Sequence, residues 1–235
     1  MGRTPDARDL LLTFSALWIN RFSNRIIMEF YSRKQEIVNS LIHGVGIIFG
    51  ISSLPILVGL AIHHDNVSAI VGAAIYGFSF LFLFTSWTMY HIIEDPRLKQ
   101  VFKVLDHISI YFLISGTYTP FLLIYLNNAF GISLLCILWG LTVIGIGIKI
   151  FFTGRFDLLS TIIYLLMGLI LIVGGRRFFV RVPEDVLIFV CIGGGLYIIG
   201  VVFYLWDKYL YSHAVWHGFV LAAAICHYVA VLLSV

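Results

Sequence analysis

The chain has 235 residues, of which 60% are hydrophobic and only 11% charged. Soluble globular domains carry about 25% charged residues, so a water-solvated fold is excluded and lipid must be the solvent for most of the chain. The net charge of +3, with no basic stripe, leaves no footprint for nucleic acid, and the length suits a single domain.

In chain order, residues 1–35 read as an N-terminal cytosolic segment and residues 36–235 as one transmembrane domain. Leu10 to Ile19 is apolar and follows Arg3 and Arg8. It is short for a signal peptide, no cleavage site follows it, and it suits an amphipathic surface helix. Asp6 stands where a myristoylation signal needs Ser or Thr. Met28 offers an alternative start, which would make residues 1–27 an extension.

Crossing the hydrocarbon core takes about 20 apolar residues. Seven stretches reach this: roughly 37–62, 67–91, 104–126, 130–152, 158–175, 185–206 and 213–235. The expected fold is all-α, with seven transmembrane helices. The fifth is the weakest, because Gly174 and Gly175 end it and Arg176 follows. Gly46 and Gly50 form a G-x-x-x-G pattern in the first stretch and read as packing residues. Cys136, Cys191 and Cys226 lie in apolar runs at no metal-like spacing and read the same way.

Loop charges give the orientation. One side holds Arg3, Arg8, Arg21, Arg25, Arg33, Lys34, Arg97, Lys99, Lys103, Lys149, Arg155 and Lys208; the other holds only Arg176, Arg177 and Arg181. The N-terminus is therefore expected in the cytosol and the C-terminus outside, in the inner (plasma) membrane of the cell. Without residues 1–27 the bias still points the same way.

Ionisable groups inside a bilayer are costly and invite a functional reading. His43 opens the first stretch, His91 closes the second, Asp106 and His107 open the third, and His213 and His217 open the seventh. By the charge rule all lie at cytosolic helix ends. His213 and His217, at i and i+4, share one helical face and can grip one metal ion. With His91 they supply three nitrogens, the number a catalytic zinc takes while keeping one position for water. Asp106 can bind directly or deprotonate that water. A lone interfacial histidine is more often a hydrogen-bonding residue, the reading given to His63, His64 and His107. No lysine follows Lys208, which excludes a retinal Schiff base in the last helix.

At these residues the sequence resembles the bacterial hemolysin III family, related to the progestin and adipoQ receptors and, more widely, to alkaline ceramidases. The motifs are Glu36-Ile-Val-Asn39-Ser-Leu-Ile-His43-Gly44, Thr88-Met-Tyr90-His91, Asp106-His107, Gly116-Thr-Tyr-Thr-Pro120 and His213-Ala-Val-Trp216-His217-Gly218. The resemblance covers nearly all of residues 36–235. It implies seven helices, zinc held at His91, His213 and His217, and Asp106 reaching the metal through water. The family usually places a serine four residues before the second-motif histidine. Here that position is Trp87, with Ser86 before it and Thr88 after it, and one residue turns a side chain about 100° around a helix.

The expected function is a Zn2+-dependent hydrolase of a lipid amide or ester, with Ser86 or Thr88 assisting. Glu36, Asn39 and His43 are candidates to orient the metal-bound histidines. A membrane-lipid sensor with structural zinc is the alternative from another class, and a pore-forming cytolysin is a third. Membrane lipid is the expected partner; the oligomeric state is left open.

Overall fold

The computed structural model describes residues 32–206 and 210–235, and every regular element among them is helical. The N-terminal surface helix, the alternative start at Met28 and the Lys208 charge fall outside these residues. The helices are α1 (Arg33–His63), α2 (Val67–Ile92), α3 (Pro96–Tyr125), α4 (Ala129–Phe152), α5 (Asp157–Gly168), α6 (Ile170–Phe179), α7 (Glu184–Leu205) and α8 (Ser212–Ser234). Seven spans long and apolar enough to cross a membrane result among the described residues, with α5 and α6 together making the fifth.

Polar caps set the helix starts. Ser32 and Gln35 form a reciprocal capping box at α1, and the Asn66 side chain accepts the Ala69 amide at α2. Asp95 caps α3, where Pro96 needs no amide partner. That cap lies well before the expected start of the third span near residue 104. The added turns carry Arg97, Lys99, Gln100 and Lys103, so α3 begins outside the apolar run. The fifth span breaks at Leu169, and its second half continues through Arg176 to Phe179, past a non-helical Gly175 at φ 51°.

α1 packs on α2, α2 on α3, α3 on α4 and α7 on α8, while α8 also returns against α1, α2 and α3. The α1–α2 seam is very close. A Cβ at Gly46 would sit 2.4 Å from the Phe84 ring, and one at Gly50 would sit 2.7 Å from Leu81. The G-x-x-x-G pattern thus lets α1 lie down on two bulky α2 side chains. Polar side chains add cross-helix hydrogen bonds: the Tyr76 hydroxyl donates to the Ala224 carbonyl (2.9 Å) and Tyr228 to Ser53 (3.0 Å). Large apolar residues such as Ile48, Val143 and Ile172 point outward, as they should where the surroundings are lipid.

Candidate functional site

The return of α8 against α1 and α2 brings histidines from three helices together. His43, His91 and His217 are all buried, and each offers a ring nitrogen within 4.8 Å of the others. His91 Nε2 and His217 Nε2 are 3.3 Å apart. The His43 ring lies 4.1 Å from that of His217 and 5.7 Å from that of His91, between centroids. His213, one turn before His217, stands with its ring 4.4 Å from His217 and 5.9 Å from His91. The trio with the closest nitrogens therefore contains His43, and His213 flanks it.

The donor set fits a metal ion. Zinc–nitrogen bonds of about 2.0–2.1 Å at tetrahedral angles hold two nitrogens about 3.3 Å apart. A hydrogen bond between the two imidazoles would also suit that distance, but it leaves much else unexplained. Both nitrogens of His43, Nδ1 of His217 and both amide atoms of Asn39, one turn before His43, are buried without partners. These are five of the eight such side-chain atoms among the described residues. Buried polar groups are rarely orphaned, and the lone pairs among these atoms are ones that a bound cation could satisfy.

Glu36 tightens the arrangement. Its Oε2 meets His91 Nδ1 at 2.5 Å, and its Oε1 accepts from Lys99 Nζ at 2.7 Å. With a proton on Nδ1 directed at the carboxylate, the Nε2 lone pair of His91 turns toward His217. Trp87 forms one wall, its ring 4.8 Å from His43 and 4.6 Å from His217, and Trp216 lies beyond it at 5.0 Å. The position four residues before His91 is on the same helical face, so it is the tryptophan that meets the histidines. Ser86 is buried one step around the helix, and the Thr88 hydroxyl is bonded to the Phe84 carbonyl of its own helix at 2.7 Å.

Beside the histidines a cavity of about 480 Å³ opens among α2–α8, lined at one end by Asp106, His107, Lys149, Asp157 and His213. His43, His91 and His217 do not line it; Trp87, Trp216 and His213 stand between. Asp106 Oδ2 is 3.7 Å from His107 Nδ1, His107 Nε2 is 3.8 Å from Asp157, and Lys149 Nζ bonds Asp157 at 2.9 Å. The rest of the lining is mainly apolar, and the size suits a lipid tail. Sequence reasoning passed over the two tryptophan walls and the Lys149–Asp157 pair. The i−4 spacing from His91 signalled the first wall; nothing in sequence joins Lys149 to His107.

Fold and site together define a multi-pass helical membrane protein with a histidine-rich polar centre at one end of the bundle. The haemolysin-III-related family matches residues 31–228, and the chain belongs to that family. It is 41% identical to "Hemolysin-3" of Bacillus cereus over 202 residues, covering 86% of this chain and 92% of the relative. It is 39% identical to "Hemolysin-3 homolog" of Bacillus subtilis (strain 168) over 202 residues, at 86% and 95% coverage. "Monocyte to macrophage differentiation factor" of Homo sapiens is 28% identical over 189 residues, at 76% and 77% coverage. No solved structure matches the chain.

Proposed function

We propose that this protein is a zinc-dependent hydrolase of a lipid amide or ester, working at the cytosolic face of the inner (plasma) membrane. The observation that carries the reading is a buried histidine cluster with metal-like spacing beside a lipid-sized chamber that has a carboxylate at its polar end. His91 and His217 hold the ion. His213 supplies the third nitrogen, because it borders the chamber where substrate must meet the metal. When bound, zinc supplies Lewis acidity that activates water and polarises an acyl carbonyl. The apolar lining receives the acyl chain, and Trp87 and Trp216 keep bulk water from the histidines. Asp106 takes the proton of the attacking water as its oxygen bonds the acyl carbon. The C–N or C–O bond then breaks, and the proton passes to the departing amine or alkoxide. The test is release of free fatty acid from vesicles containing a lipid amide or a lipid ester. Release should be lost in His91→Ala and in Asp106→Asn; release that survives His91→Ala would overturn the mechanism.

A second reading has its own observation. The trio with the closest nitrogens includes His43 and does not line the chamber. Zinc held there would pin α1, α2 and α8 together in a membrane-lipid sensor. Metal retained in His213→Ala, with no hydrolysis in the wild type, would favour it.

A further inference from the structure

The chamber has a second polar pole that the hydrolytic reading leaves unused. Tyr197 on α7 and His227 on α8 both line it, with ring centroids 5.5 Å apart. His227 Nε2 lies 3.2 Å from the Val190 carbonyl, so Nε2 carries the proton and Nδ1 is left a bare acceptor. That Nδ1 is buried without a partner, and so is the Tyr197 hydroxyl. His227 is itself more than nine-tenths buried. Its ring is seated over Gly193, where an added Cβ would come within 2.4 Å of Cδ2, so the imidazole is held in place rather than free to seek another bond.

Neighbouring chamber hydroxyls are occupied. Thr117 donates to the Leu113 carbonyl at 2.7 Å, and Tyr118 donates to the Gly168 carbonyl. One donor and one acceptor therefore remain at this pole, which is the complement of a hydroxyl: it donates to the imidazole and accepts from the phenol. Leaving both unpaired in a bilayer costs stability, which a ligand hydroxyl between them would recover.

The pole is far from the polar centre. From His213 to His227 is 227 − 213 = 14 residues, about 21 Å along α8 at 1.5 Å per residue. Both residues line the same cavity, whose intervening walls are largely apolar. We infer that the chamber takes a lipid that is polar at both ends, with its head beside Asp106 and His213 and a hydroxyl about 20 Å away between Tyr197 and His227. The inference rests on reading the cavity as the lipid chamber, and it is independent of any metal chemistry.

The test is binding rather than turnover. Saturated fatty acids of increasing length, and their ω-hydroxy counterparts, are titrated into the purified protein in nanodiscs, with quenching of tryptophan fluorescence as the readout. The hydroxyl should tighten binding about tenfold, and only at chain lengths that reach the second pole. Tyr197→Phe and His227→Phe should each remove most of that gain. Binding of the plain acids should stay within about twofold of wild type in Tyr197→Phe, which shows that the chamber is intact. No gain from the hydroxyl at any length overturns the inference, as does a gain that persists in both variants. If neither series binds, the lipid chamber itself is overturned and this inference with it. Loss of zinc or of hydrolysis with the hydroxyl gain intact overturns only the proposed reaction.

Discussion

His91 Nε2 and His217 Nε2 face each other at 3.3 Å across the meeting of α2 and α8, which are 126 residues apart in sequence at this point. Two helices far apart in the chain thus bring imidazole nitrogens to the edge length of a tetrahedral zinc site. Protein purified in detergent should contain about one zinc per chain, and His91→Ala and His217→Ala should each reduce this to about a tenth or less. Elemental analysis of wild type and variants, with circular dichroism to show retained helicity, measures it. Well-folded wild type without metal would return the histidines to a purely hydrogen-bonding role.

Glu36 is the most informative residue near the site that need not touch the metal. Its carboxylate fixes His91 at 2.5 Å and is itself held by Lys99 at 2.7 Å. Carboxylates behind metal-bound histidines set the tautomer and raise ligand basicity, and losing one costs about 10–100-fold in metal affinity. Glu36→Gln should therefore weaken zinc binding by that order while leaving the fold intact. Competition with a calibrated chelator measures it. An affinity unchanged from wild type would mean that Glu36 serves only to join α1 to α2.

Packing at the α1–α2 seam gives a prediction about stability alone. A Cβ at Gly46 would meet the Phe84 ring at 2.4 Å, while one at Gly44 would meet nothing within 4 Å. Overpacking costs about 1–3 kcal/mol. Gly44→Ala should gain up to about 1 kcal/mol from helix propensity. Thermal unfolding in detergent should accordingly place Gly46→Ala several degrees below wild type and Gly44→Ala at or above it. Equal midpoints for the two variants would show that Phe84 moves aside without cost.

The spans were legible because crossing a bilayer requires an apolar run of a length few other structures need. Hydropathy was blind where helix continues beyond lipid: the first turns of α3, with Lys99 and Lys103, are helical by virtue of Asp95 and Pro96, not apolarity. The gathering of His43, His91, Asp106 and His217 toward one end was legible from their positions at helix ends. Which nitrogens meet was not, since it depends on how far each helix is rotated about its own axis. His43 was expected behind the metal ligands and lies among the three closest histidines, while His213 stands one turn to the side. The cross-helix pairing of Lys149, Asp157 and His107 was hidden for the same reason: three helices supply it.

That rotation makes the third nitrogen the measurement that separates the two functional readings. His213 borders the chamber, and His43 is sealed behind Trp87. If His213 completes the site, one coordination position can face substrate. If His43 completes it, the ion sits away from the chamber and serves packing. The hydrolase reading expects His213→Ala to lose zinc and all activity, while His43→Ala keeps most of its metal and loses stability. The sensor reading expects the reverse loss of metal. Metal content and thermal midpoint measured on both variants decide it. Loss of zinc in both would indicate four histidine ligands, a closed shell with no position for water, and would remove the hydrolase.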